Sequence, residues 1–460
     1  MMRRSSPIFD RILERVSAMP VIDCHEHMAG TDLVKGCTEP IALLVSQYYM
    51  QDMMSVGADR ETRDLLRDPD IGTEGKWPTF ETIWRKTEHT AYARQIKLIV
   101  QECFGEEGVS LPALLRIGKR LAARDPGSYM RMLDDARIAL VISDALNPTP
   151  PGRTDLFERY LSGALRFPEN WRLVIPLPLF HAIRVMEMGV GTWMGVQQIG
   201  AMVDRHVTSL DEFLECVFEV LKRAKERGAV GIKDQWAYIR SLDYEVTPRC
   251  DAERLFNRML SDPRAMLPWP EAKPLDDFLF HQYMRFARDL DLPVQLHTGH
   301  MAINTHLRPP LLNRVDKANA AHFVRVMELH QDVRFDLFHG NWPYMGDLLF
   351  LAKNYPNAAI DCCWLYVLDP LYAKELLERA VVTVPHSKVH GFGGDHGDFP
   401  EMAVTHLKMA REVIASALAN LVERGWLEEE QAVGIAAEWL FNNPNRFFKL
   451  GLEPIGTSGA

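Results

Sequence analysis

Short runs of β-branched and apolar residues recur along the chain, separated by helical or irregular stretches. They cover residues 21–25 (VIDCH), 138–143 (IALVIS), 172–177 (RLVIPL), 229–233 (AVGIK), 293–297 (PVQLH), 334–339 (RFDLFH), 358–362 (AAIDC) and 389–395 (VHGFGGD). These runs are nearly continuous rather than alternating, which predicts strands buried on both faces, as in a parallel sheet. Helical periodicity fills the spaces between them, for example over 210–227 and 278–290. Eight strands alternating with helices predict an α/β chain folded as a (β/α)8 TIM barrel, with a doubly wound open sheet as the competing architecture.

The connections are uneven. About 110 residues separate the first two strands, far more than an ordinary βα loop. This stretch, 28–137, is expected to be a large helical cap, with helices over 41–56, 80–102 and 111–124. It carries Trp77, Trp84, Arg85, His89, Tyr92 and Arg94. A second long connection, 235–275, holds Tyr238 and Arg240, and helices over 401–424 and 428–448 close the chain. Insertions after barrel strands lie on the face where active sites form, so 1–460 is expected to be one capped barrel.

Composition fits an ordinary globular protein: 47% hydrophobic and 25% charged residues, with a net charge of −10. The acidic excess argues against nucleic acid as a partner. No run of about 18 apolar residues is present, so no membrane span is expected. Residues 1–20 lack the apolar stretch of a signal peptide and read as an amphipathic helix. Seven cysteines are too few for a disulfide framework and suit a reducing cytoplasm.

Candidate chemistry concentrates at strand ends. In Asp23-Cys24-His25-Glu26-His27, residues two apart share a strand face. His25 and His27 can therefore chelate a divalent ion such as zinc, Asp23 can orient a ligand histidine, and Cys24 and Glu26 are expected to point away. Lys233, His297, His339 and Asp395 end four other strands, and such positions converge above a barrel. Cys362 and Cys363 are expected to be packing residues. Gly391–Gly394 lacks the spacing of a phosphate loop and instead frees the backbone before Asp395. His300 is a pocket candidate, His306 is expected to face solvent, and His386 and His390 receive no role. Trp77, Trp84, Trp342 and Trp364 are candidates for pocket walls.

The motifs VIDCHEHM, VGIKDQWAYIRSL, VQLHTGH, FHGNWPYMGDLLFLAKNYPNAAIDCCW, GFGGDHGDFPE and AAEWLFNNPNRFF resemble the amidohydrolase superfamily, in its amidohydrolase-related, nodulin/glutamine-synthetase-linked branch. TFETIWRKTEHTAYARQIK and LHTGHMAIN are similar to the distant uronate isomerases. The resemblance implies His25, His27, His297 and Asp395 as metal ligands, with Asp395 also moving a proton. His297 and His339 would otherwise polarise substrate, and His339 could bind a second metal. Lys233 would bridge two metals if carbamylated, but one zinc is favoured. The implied activity is a metal-dependent hydrolase acting on an amide, ester or lactone of a small, carboxylated molecule. Aldose–ketose isomerisation of a sugar acid, and nonhydrolytic decarboxylation or C–C cleavage, are the alternatives. Uronate isomerases follow the eighth-strand Asp with Ser-Arg, whereas this chain has His396-Gly397. Arg85, Arg94 or Arg240 would then have to grip a sugar acid, with Tyr238, His300 and Trp364 as further contacts. Related barrels often form dimers or trimers, so a homo-oligomer is left open.

Overall fold

The computed structural model describes residues 6–28, 37–125, 127–146, 155–182, 194–262, 264–301, 314–397 and 399–456. Eight strands form in the predicted order: β1 Val21–Glu26, β2 Ile138–Ser143, β3 Trp171–Pro176, β4 Ala229–Asp234, β5 Val294–Leu296, β6 Phe335–Leu337, β7 Ala358–Asp361 and β8 Val389–His390. Each pairs in parallel with the next, from β1 through β8. All six residues of β1 are buried, as are those of the short strands β5 to β8, which explains their unbroken apolar character.

The last strand and the first complete the (β/α)8 barrel. Beyond His390 the chain runs beside β1, with Cys24 N–H donating to Phe392 O at 3.0 Å, Asp395 N–H to His25 O at 2.8 Å and His27 N–H to His396 O at 2.8 Å. The predicted eighth strand was longer, over 389–395. Its regular ladder to β7 ends at His390 because the following segment turns its hydrogen bonds towards β1. Two glycines permit this approach: a Cβ on Gly393 would press on Cys363, and one on Gly394 would collide with the Glu26 carboxyl.

Between β1 and β2 lies a helical segment, but two of its expected helices are interrupted. The 41–56 stretch divides into Pro40–Leu44 and Tyr49–Ser55. The 80–102 stretch divides into Thr73–Thr87 and Ala91–Leu98, followed by a π-helical turn at Ile99–Cys103. Thr90 causes the second break, since its side chain accepts from Ala93 N–H and starts a new helix. The third expected helix forms as Leu111–Ala122. At the other end of the chain, Pro400–Glu423 packs on Pro7–Ala18 and on Pro370–Thr383. The expected 428–448 helix is divided by a π-helical turn, Glu438–Asn442, between Glu429–Ala437 and Asn443–Phe447. No helix among the described residues is long and apolar enough to cross a membrane.

Two apolar clusters result. The large one fills the space around the strands and under the cap. In the small one, Ile22, Cys24, Leu140, Ile142 and Val174 of β1 to β3 pack against Phe441 and Phe448 from the C-terminal turns. These phenylalanines close the barrel end opposite the site. Phe441→Ala should cost about 3–5 kcal/mol, seen as a lowered midpoint in thermal unfolding.

Candidate metal centre

His25 and His27 stand at the end of β1, and Asp395 follows β8. The β1–β8 hydrogen bonds bring them together, with His27 Nε2 3.1 Å and His25 Nε2 3.6 Å from Asp395 Oδ1. One donor atom from each of the three lies within 4.8 Å of the others. His25 Nδ1 is held by Gln295 Oε1 at 3.1 Å, while its Nε2 is buried with no hydrogen-bond partner. An orphaned imidazole nitrogen beside a second imidazole and a carboxylate fits a divalent metal, and this donor set suits zinc and similar ions.

The electrostatics of His25 and Asp395 agree with that fit. Burial, and then the Lys233 charge, hold His25 well below its ordinary pKa, so its ring is neutral and able to ligate. Burial opposes ionisation of Asp395, but the hydrogen bond and charge of His27, with His25 and His339, outweigh it and hold the carboxyl well below its usual range. Burial also opposes protonation of His27, yet Asp395 and then Asp144 raise it.

His297 and His339 form a second, adjoining arrangement. His297 Nε2 lies 2.7 Å from His300 O, and His339 Nδ1 lies 3.1 Å from Cys363 O. Carbonyls only accept, so these two nitrogens carry the protons of two neutral rings. His297 Nδ1 and His339 Nε2 then face each other, lone pair to lone pair, at 3.0 Å. Burial pushes His339 down to about 3, and burial and then His339 drive His297 well below its ordinary value. The gap can accept a proton or a cation. His339, Cys363 and Asp395 also present donor atoms within 4.8 Å of one another. Lys233 is buried, with Nζ 3.7 Å from the centre of the Phe338 ring, and burial lowers its pKa against the pull of Asp395. His339, Trp364 and Asp395 all have left-handed backbones, with φ of 60°, 64° and 61°, so unfavourable conformations gather at the site.

Aromatic rings wall the centre. Trp364 stacks on Tyr48 at 4.1 Å and meets His339 edge-on at 5.3 Å, and Tyr92 stacks on Tyr48 at 6.0 Å. The Tyr48 hydroxyl donates to Asp395 O. Tyr238 lies 4.7 Å from His297, and His300 packs between Trp342 and Trp364 while contacting Gln51. Trp77 and Trp84 pack instead around Phe80 in the cap. Arg85 pairs with Glu81 and Arg94 with Glu412, both on exposed surface. Arg240 is buried and bound to Asp276 at 2.6 Å and to Asp277. His306 lies outside the described residues.

Two expectations at β1 change. Asp23 does not touch the ring of a ligand; its Oδ1 accepts from His25 N–H at 3.3 Å and Gly394 N–H at 3.0 Å, while Gln295 holds the His25 ring. Glu26 does not point away from the seam: its Oε2 accepts from His396 N–H, and burial and then the nearby Asp23 carboxyl push its pKa well above the usual range. A register shift between Asp23 and Glu26 breaks the strand alternation that the expectation assumed. Tyr48, Gln51, Cys363 and Gln295 were not picked out as site residues. For Gln295 a signal existed, since it lies two residues before His297 on the same strand face.

Two outcomes follow from these contacts. His25→Ala should weaken zinc binding by about 100-fold or more in a chelator competition, with Arg94→Ala binding as the parent does. Arg240→Met leaves Asp276 and Asp277 without their buried cation and should cost about 3–5 kcal/mol. Burial opposes ionisation of Asp276, but His181 and then Arg240 outweigh it and depress its pKa. Its contribution to stability is thus complete above the unfolded carboxyl value of about 3.9 and is lost as pH falls towards the folded one. Denaturation curves from pH 7 down to 2 should show the parent's advantage over Arg240→Met shrinking below about pH 4.

Comparison with known proteins shows what this chain is similar to. The amidohydrolase family model matches residues 193–404. Protein fluG of Emericella nidulans is 30% identical over 49% of this chain, which spans about a quarter (26%) of that relative's length. A uronate isomerase of Thermotoga neapolitana is 20% identical over 95% of this chain and 96% of its own length. Among solved structures, glucuronate isomerase from Caulobacter crescentus superposes with a TM-score of 0.73 at 16% identity, covering 98% of this chain and 96% of that one. Uronate isomerase from Thermotoga maritima gives 0.72 at 16% identity, over 96% and 98%. These superpositions show the same barrel fold over nearly the whole chain, and residues 193–404 are similar to the amidohydrolase family.

Proposed function

We propose that the chain is a metal-dependent aldose–ketose isomerase acting on a sugar acid of the uronate type. The observation that carries this reading is the reach of the similarity. Uronate isomerases match over 95% and 96% of the chain, so the segment between β1 and β2 is included, whereas the family model covers only residues 193–404. This favours isomerisation over the hydrolysis that the amidohydrolase resemblance implied.

Isomerisation moves a proton from C2 to C1 of the open-chain aldehyde and another from O2 to O1, with no atom gained or lost. A divalent cation held by His25, His27 and Asp395 would act as a Lewis acid on the carbonyl and the neighbouring hydroxyl. The Asp395 carboxylate, 3.1 Å from His27 Nε2, is the base that takes the C2 proton and returns it to C1. The facing nitrogens of His297 and His339 supply a place for the hydroxyl proton in transit. Lys233 provides positive charge at the floor for a substrate carboxylate or a developing oxyanion, and Trp364, Tyr48 and Tyr92 exclude water.

Hydrolysis of an amide, ester or lactone is the second reading. It is favoured by the residue after Asp395: His396 is enclosed by Gln47, Gln95 and His406 where uronate isomerases carry their Ser-Arg pair. A panel of hexuronates, incubated with metal-loaded protein and followed by NMR, should yield ketose. Lys233→Met should then lower kcat/KM by about 10- to 100-fold. Absence of ketose from every uronate, with turnover of an ester or lactone, would select the hydrolase.

A further inference from the structure

The geometry points to Gln295 as the positioning residue that fixes which nitrogen of His25 is offered to the metal. This inference rests on the His25–His27–Asp395 reading of the centre. Gln295 lies on β5, fully buried, and its amide spans the barrel interior between His25 and the polar groups beneath it. Nε2 donates to Cys24 O at 2.8 Å. Oε1 faces His25 Nδ1 at 3.1 Å.

The direction of the amide is not arbitrary. A backbone carbonyl never donates, so Cys24 O requires the amide nitrogen on its side. Reversing the amide would set two oxygens against each other there and two donors against each other at a metal-ligating ring. Gln295 Oε1 therefore faces His25, and His25 Nδ1 must carry the ring proton. The bare nitrogen is Nε2, the one that is buried without a partner beside Asp395.

The test measures zinc affinity by chelator competition for the parent, Gln295→Leu, Gln295→Glu and His25→Ala. It is accompanied by ¹⁵N shifts of labelled histidine in the metal-free proteins and by their thermal midpoints. Gln295→Leu should weaken zinc by about 10- to 100-fold and remove the Nδ1–H preference of His25. Gln295→Glu, which keeps an oxygen towards the ring, should restore the Nδ1–H preference and zinc binding towards the parent values, while its second oxygen against Cys24 O lowers the midpoint. A merely structural role would lower the midpoint of both variants without moving the tautomer. Loss of zinc in His25→Ala, with parent-like affinity and tautomer in Gln295→Leu, would overturn the role of Gln295. Parent-like zinc binding in His25→Ala would overturn the metal centre instead.

Discussion

The structure depends on the seam where the last strand meets the first. A parallel barrel has no edge only if its terminal strands pair, and here three backbone hydrogen bonds link 24–27 to 392–396. The same bonds set the chemistry, because Asp395 N–H is bound to His25 O and its carboxylate meets the imidazoles of His25 and His27. Glycines at 393 and 394 let the backbones approach, and the buried Asp23 and Glu26 carboxyls take up N–H groups the ladder leaves over. Burial drives Asp23 up to about 7, so this acid pair retains a proton where exposed carboxyls would have lost it.

Around the seam, polar groups are arranged so that each has a defined proton. His25, His297 and His339 are all depressed by burial, which keeps imidazole lone pairs available in a site that also contains Lys233. Their orientations come from backbone carbonyls and Gln295 rather than from charged partners. Left-handed backbones at His339, Trp364 and Asp395 add strain at three successive strand ends, and surrounding packing holds it in place.

Much of this was legible in the sequence. Runs such as IALVIS and AVGIK became strands almost residue for residue, since strands buried on both faces need no alternation to be recognised. His25, His27 and Asp395 could be grouped because strand ends of a barrel converge. Other features depend on partners distant in sequence. Arg240 looked free to grip an anion, but a helix 36 residues further on supplies Asp276. Trp364 had no signal for its left-handed turn, which sets Cys363 beside His339 and Asp395. Tyr48 and Gln51 reach the centre from the cap, and side-chain directions across an insertion cannot be read from spacing. The interruption at Thr90 did have a local cause, a capping threonine inside an otherwise helical pattern.

The seam also imposes an order on assembly. On a ribosome β1 is made first among the strands, and the segment that completes its pairing is made after all the others. Until then its apolar side chains and one row of backbone groups lack their native partners, a condition that invites association with other chains. The phenylalanines at the opposite barrel end, Phe441 and Phe448, follow later still. A chain that stopped before residue 392 would therefore lack both the bonds that complete the barrel and the Asp395 carboxylate of the centre.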